Sequence, residues 1–474
     1  MGRRGRRRRP GRARVSRDLA EARPLPVWWE DRDVEAVSDP LTRATTADLV
    51  IIGGGLTGLW AAIHALEETP GRDVVLLEAA HVAAGASGRN GGFVSESLSH
   101  GLSHGEATWP AEQHDLVRLG RENVREIGEF LRAEGIDADF RLCGKTMMAT
   151  RPHEVAALRA AHALNERYGE ESYLLDRDEA QADVHSPTYL AGLRTTGGGL
   201  VDPAALCAGL RDAALARGLR LHESTEVTRL ERDGAGVRCR TEHGEVRARQ
   251  AIIATNAFDP LLRRLRAYVI PVWDYVLATE PLTPAQLEAI GWHQNQGLTD
   301  AGNEFHYYRR TPDDRILWGG YDAVYYFGGA TAAHRGQRDS THALLARQFR
   351  ETFPQLADVR FTHRWGGLID TTSRFTPVFG TALGGRVAYA VGYTGLGVAA
   401  SRFGARVALD ALAGRETERS RLALVRERPV PVPPEPLRWP AVQITRAALA
   451  REDRTGRRGP LLRVMDRFGV GFNS

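Results

Sequence analysis

Lysine is nearly missing from this chain. Of 63 basic residues only Lys145 is a lysine, and the other 62 are arginines. Lysine-based catalysis therefore has almost no candidates. Cysteine is scarce too: Cys143, Cys207 and Cys239 are the only three. They exclude a disulfide framework, form no CxxC zinc pattern and fit a reducing compartment. No apolar run reaches the roughly 18–20 residues that cross a bilayer. With 42% hydrophobic and 26% charged residues, disorder over the whole length is excluded as well. The chain of 474 residues suits two or three domains, or two interleaved ones, at roughly 100–200 residues each.

Acid is absent from the head. Residues 1–17 hold nine arginines and no Asp or Glu, while the remainder carries 54 basic against 59 acidic groups. The net charge of +4 thus comes from one tail on a mildly acidic body. Such a tail could neutralise phosphates of a nucleic acid or a membrane. It reads here as a solvated extension, and no nucleic-acid partner is expected. It lacks the apolar core of roughly 7–15 residues that a secretory signal needs, so a cytoplasmic location is expected.

The first periodic elements are a buried strand (47–52), a helix (56–68) and a second buried strand (73–78), a βαβ unit. Between them stands Gly53-Gly54-Gly55-Leu56-Thr57-Gly58, a GxGxxG turn. Gly53 permits the tight turn, Gly55 lets the backbone approach a pyrophosphate, and Gly58 allows close helix–strand packing. The helix start at Leu56 and Thr57 offers free N–H groups to the anion. Glu78 closes the next strand 20 residues after Gly58, where it can accept ribose hydroxyls. These residues predict dinucleotide binding without separating NAD from FAD. A second loop, Gly85-Ala86-Ser87-Gly88-Arg89-Asn90-Gly91-Gly92, could wrap the pyrophosphate and reach a flavin ring.

Further elements follow: a helix over 109–134, alternating strand and helix signals through 140–195, and a helix opened by Pro203. Strand-like runs lie at 220–223, 225–231, 236–241 and 246–254. Longer strands are predicted at 268–281 and 304–320, a helix at 339–353, strands near 376–391 and a last helix at 397–413. PVPVPPEP (429–436) reads as an extended linker. The C-terminal segment could pack on the body or on another subunit.

ADLVIIGGGLTGLWAAIHAL, VVLLE and GASGRNGG together resemble the FAD-dependent D-amino-acid oxidase superfamily. STEVTRLERDGAGVRCRTEHGEVRARQAIIATNAF is similar to its β-meander and returning strand. RFTPVFG and Val391-Gly392-Tyr393-Thr394-Gly395-Leu396-Gly397-Val398 are similar to its C-terminal end. VWDYVLATEPL (272–282) points to the γ-glutamylputrescine oxidase-like branch. The likeness covers about residues 26–415.

The resemblance implies an α/β (α+β mixed) fold, with a Rossmann-like FAD-binding domain interleaved with an antiparallel-sheet substrate domain. The pieces expected are an Arg-rich disordered tail (1–25), FAD-binding parts at 26–140, 196–265 and 356–415, substrate-domain parts at 141–195 and 266–355, and a linker with C-terminal segment (416–474). The cofactor set is Gly53, Gly55, Leu56, Thr57, Gly58, Glu78, Ser87, Arg89, Asn90, Gly91, the Val227 backbone at adenine, Thr255, Asn256 and the helix start Gly395, Leu396, Gly397, Val398. At that last start, N–H groups facing the flavin pyrimidine oxygen would stabilise the negative charge of reduced flavin. Many members of the branch have His where this chain has Leu396. No Cys or His is placed to tether the flavin, so FAD is expected to bind non-covalently. No metal is expected.

Departures from the family narrow the substrate. Glycine oxidase-like members clamp the substrate carboxylate with an Arg before a DxxP segment, and Ile369 stands there here. Sarcosine oxidase-like members place Lys and His in the strand matching 315–321, which has neither, and Lys145 reads as a surface or interdomain residue. Tyr307, Arg309, Trp318, Tyr321, Trp365 and Ile369 are candidate pocket residues, and no catalytic residue is identified. Aromatic faces could attract an amine cation, or could simply pack the strands. Arg309 or Arg310 could meet a distal carboxylate.

The implied activity is oxidation of a C–N bond in a small-molecule amine, with a γ-glutamyl-polyamine-type substrate preferred. A hydride would pass to flavin N5 and the imine would then hydrolyse. Oxygen or an unknown carrier would take the electrons. The alternatives are an FAD-dependent amino-acid dehydrogenase using a non-oxygen acceptor, or a flavin-binding non-catalytic protein.

Overall fold

A computed structural model gives the fold and describes residues 17–30, 32, 37–258 and 260–471. Residues 1–16, most of the Arg-rich head, lie outside the described residues.

Two eight-stranded sheets organise the chain. The first runs Val378–Ala382, Val387–Val391, Glu245–Ile253, Thr45–Ile52, Val74–Leu77 and Arg220–His222, with Arg229–Asp233 and Gly236–Arg240 added as an antiparallel meander. Its centre is parallel: Ile51 registers with Leu76 on one side and with Ile252 on the other. Both faces of the strand Thr45–Ile52 are covered. Leu49 and Ile51 pack with Leu59, Ile63 and Leu210 of the helices Leu56–Glu68 and Pro203–Ala216, while Val50 and Ile52 pack into the core shared with the second sheet. Burial on both faces is why the strand reads as an unbroken apolar run.

The second sheet runs Phe361–Thr371, Ile270–Thr279, Ile316–Gly320, His306–Arg310, Gly297–Asp300, Lys145–Ala149, Ala191–Thr195 and Ser172–Leu175. The helix starts at Leu56, Pro203 and Gly397 and the pairing of 378–391 follow the sequence pattern closely.

Three expectations change, and one open alternative resolves. The single long strand over 304–320 is a hairpin, because Thr311-Pro312-Asp313-Asp314 turns the chain and Thr311 Oγ1 accepts the Arg315 N–H at 3.0 Å. The expected third part of the FAD-binding domain opens at 356, yet Phe361–Thr371 pairs along its length with Ile270–Thr279 in the second sheet. Of the tail drawn to residue 25, residues 17–25 are described and they pack on the body. The helix Arg17–Glu21 buries Leu19 in the main core, and the Arg23 N–H donates to the Thr362 carbonyl at 2.8 Å. The C-terminal segment packs on the body: buried Asp453 of the helix Arg438–Thr455 accepts the N–H groups of Asn303 and Glu304 at 2.9 and 2.8 Å.

Candidate active site

One cavity of about 1440 Å³ lies between the two sheets. A small-ligand pocket is roughly 300–1,000 Å³, so this one has room for a dinucleotide and a substrate together. All of the expected cofactor residues except Gly58 line it. Gly58 has the packing role foreseen for it: a side chain there would run into the Gly53 carbonyl.

The cradle is built from backbone. Gly53 has φ +111°, and its missing Cβ leaves the space taken by the Ala254 carbonyl of the neighbouring strand. A Cβ on Gly55 would stand 2.7 Å from Ser87 Oγ, which accepts the Leu56 N–H at 3.0 Å. Glu78 accepts the N–H groups of Gly54 at 2.6 Å and Ala80 at 2.9 Å. Burial raises its carboxyl above the usual range, and these two donors work against that. The helices Leu56–Glu68 and Gly397–Ala413 both start at the cavity without a cap from their own N-cap residue; the Leu56 N–H is taken by Ser87, and the N–H groups that follow it, with those opening the second helix, are left for a ligand.

The second glycine loop is held from behind. Asn90 ties it to itself through the Ala86 and Ser87 carbonyls. Trp28 Nε1 donates to the Asn90 carbonyl and Trp365 Nε1 to the Arg89 carbonyl, both at 2.9 Å. Arg89 donates to the Ala84 carbonyl at 2.8 Å and lies over the Trp29 ring. Asp370 fixes the last glycine turn, accepting the N–H groups of Gly392 at 2.5 Å and Tyr393 at 3.1 Å. Burial pushes its carboxyl up to about 7, against those donors.

The pocket candidates separate by strand face. Tyr307, Tyr321 and Ile369 line the cavity. Trp318 does not: it registers with Tyr308, not Tyr307, so alternation turns it into the core, stacked on His306 at 4.4 Å. Trp365 is fully buried behind the glycine loop. Arg309 is fully buried too, donating to the Val201 carbonyl at 2.7 Å and pairing with Asp139 at 3.1 Å. Arg310 is engaged by Asp314 and the Trp292 carbonyl. Neither arginine is available to a substrate carboxylate. Arg364 and Arg374 lie outside the cavity as well, on Asp339 and on Thr376 and the Leu424 carbonyl.

One acid of the cavity wall was not singled out from sequence. Asp274 lines the wall, and its carboxylate accepts a short hydrogen bond from the Tyr307 hydroxyl. Burial pushes it up to about 6, with the Tyr307 hydrogen bond opposing. Tyr307 abuts the glycine loop, since a Cβ on Gly91 would stand 2.6 Å from its ring. The only signal for Asp274 was an acid inside the apolar run VWDYVLAT. Lys145, expected at the surface or between domains, lines this cavity between the two sheets. It begins a strand whose odd-numbered residues, Lys145 and Met147, face inward.

The chain matches the model of the DAO family, FAD dependent oxidoreductase, over residues 48–411. It is 32% identical over 383 residues to gamma-glutamylputrescine oxidoreductase of Escherichia coli, covering 79% of this chain and 86% of that one. It is 30% identical to the probable oxidoreductase OrdL of Rhizobium meliloti, covering 86% and 92%. Glycine oxidase from Geobacillus kaustophilus shares the fold at a TM-score of 0.66 and 20% identity, with 79% of this chain and 96% of that one covered. Among the described residues no helix is long and apolar enough to cross a membrane.

Proposed function

The chain belongs to the DAO family of FAD-dependent oxidoreductases, and from that premise we propose that it oxidises the C–N bond of an amine bearing no carboxylate on the reacting carbon. A γ-glutamyl diamine is the preferred substrate class, supported by the likeness to the Escherichia coli enzyme. The observation that carries the reading is the acid Asp274, beside Tyr307 and near Ile369, in the cavity wall. A carboxylate there attracts an ammonium group and repels an α-carboxylate.

The cradle fits FAD. Two helix starts suit the pyrophosphate and the flavin oxygens, Glu78 suits the ribose, and the close backbone at Gly53 and Gly55 leaves room for the phosphates. None of the three cysteines lines the cavity, which supports non-covalent binding. Bound FAD supplies the two-electron acceptor that turns the neutral amine into an imine, which water hydrolyses to a carbonyl product and ammonia or an amine.

The protein's part is proton handling and orientation. Above about pH 6 Asp274 is ionised and holds the substrate ammonium. It takes one proton from that group, leaving the neutral amine that oxidation requires. The Tyr307 hydroxyl donates to the same carboxylate and fixes its direction. The apolar side chain of Ile369 gives no partner to a carboxylate in this enclosed wall. The reducing, cytoplasmic setting belongs to the same reading, supported by three free cysteines.

The test is an anaerobic screen of amines and amino acids against the purified yellow protein, followed by flavin bleaching. Bleaching by amines is the expected result, and bleaching by α-amino acids alone would overturn the reading. Acid precipitation should leave the flavin in the supernatant, and flavin in the pellet would contradict non-covalent binding.

A further inference from the structure

The cavity continues past Tyr307 into a chamber. Lys145, Met147, Thr195 and Thr299 line its sheet wall, and the helix Pro152–Arg167 and the segment 95–103 face them. The chain's only lysine is here, and its ammonium makes no hydrogen bond or ion pair among the described residues. Burial lowers it below the usual lysine range, and the charge of Glu170 works against that.

Two acids share the chamber with it. A Cβ on Gly197 would stand 2.5 Å from Glu96 Oε2 and 3.4 Å from Glu170 Oε2, so both carboxylates flank one glycine. Glu170 is already paired with Arg121 at 2.7 Å. Burial raises the Glu96 carboxyl and the charge of Glu170 adds to the rise, with the Gly198 N–H and Arg121 opposing. Enclosing a lysine without an ion pair in one chamber with a buried carboxyl disfavours the empty fold. A ligand carrying both charges on neighbouring atoms relieves it.

Resting on the amine reading of the cavity, we propose that this chamber is the subsite for the distal α-amino-acid head of the substrate, with Lys145 taking the head's carboxylate and Glu96 its ammonium. The sheet register supports the span. Lys145 lies two residues before Met147, which pairs with Thr299, which pairs with Tyr307. Two strand spacings across and two residues along give about 12 Å at the backbone. In a γ-glutamyl diamine about nine bonds separate the oxidised carbon from the head carboxylate, roughly 10–11 Å when extended. A free amino acid is too short to occupy both ends.

The experiment uses FAD-loaded protein and two readouts. The first is calorimetric binding of γ-glutamylethylamide, which has the α-amino-acid head but no amine at its far end. Lys145→Met and Glu96→Gln should each weaken it at least tenfold, and Lys145→Arg should restore most of the loss. Equal binding by wild type and Lys145→Met would overturn the subsite. The second is the ratio of kcat/KM for γ-glutamylputrescine over putrescine, expected to fall at least tenfold in Lys145→Met. An equal fall for both amines, or no fall, would also overturn it. If head binding behaves as expected while neither amine bleaches the flavin, the subsite stands and the amine reading fails.

Discussion

The two sides of the cavity are specified in different ways. On the first-sheet side the cavity is walled by backbone: the turn after Ile52, the loop 85–92 and the helix start at Gly397. On the second-sheet side it is walled by side chains: Asp274, Tyr307, Ile369 and Lys145. A backbone site needs particular residues at fixed spacing, because only glycine leaves the space that a neighbouring carbonyl fills. A side-chain site needs only that the right group be turned inward, which spacing along one strand does not reveal.

The sharpest break of this contrast is Gly53→Ala. The new Cβ would enter the Ala254 carbonyl at a φ of +111°. At about 3 kcal/mol or more, FAD retention should fall roughly a hundredfold or beyond. The FAD-to-protein ratio after gel filtration measures it, and full retention would mean that the backbone is not the cradle's determinant.

Asp274→Asn tests the opposite side and should leave FAD bound. Flavin reduction at pH 8 should slow about a hundredfold or more, the usual worth of a positioned base. In the wild type, reduction should fall as pH drops through about 6, where the carboxylate is lost. The variant should lack that limb. Stability has its own sign: a carboxyl raised by burial favours the fold below its unfolded value near 4 and loses that contribution as pH rises through about 6. Asp274→Asn should therefore raise Tm more at pH 8 than at pH 4. Identical pH profiles for both proteins would remove Asp274 from the chemistry.

Glu78→Ala lies between the extremes, since a side chain serves the backbone cradle there. Each charged hydrogen bond to the ribose is worth about 1.5–3 kcal/mol, so FAD affinity should drop roughly ten- to a hundredfold. Unchanged affinity in a titration would remove the ribose role. The smallest effect on turnover is expected from Trp318→Phe. Its indole stacks on His306 and packs tilted against Tyr308 in the core, so thermal stability should fall while flavin reduction stays within about twofold. A large loss of reduction rate would put Trp318 back in the pocket.

This contrast also explains what could be read from the sequence. The helices 56–68 and 397–413 coincide with the expected ranges because their apolar spacing and flanking glycines are local features. Gly58 apart, the residues expected to hold the cofactor line one cavity for the same reason. Tyr307 and Trp318 looked alike as strand aromatics, and only the pairing of Tyr307 with Gly319 and of Tyr308 with Trp318 separates cavity from core. Lys145 reads from sequence as a surface or interdomain residue, and its enclosure depends on the helix Pro152–Arg167 across the chamber. Leu19 was grouped with the arginine tail because the local composition is polar, yet the core claims it.

One measurement bears most directly on the amine reading: anaerobic stopped-flow reduction with matched pairs, each monoamine against its α-carboxylated analogue, such as butylamine against norvaline. A carboxylate beside Asp274 and Ile369 should cost several kcal/mol, orders of magnitude in specificity. The amine should reduce the flavin at least tenfold faster in every pair, and Ile369→Arg should narrow the gap. Faster reduction by the carboxylated member across the pairs would contradict the account.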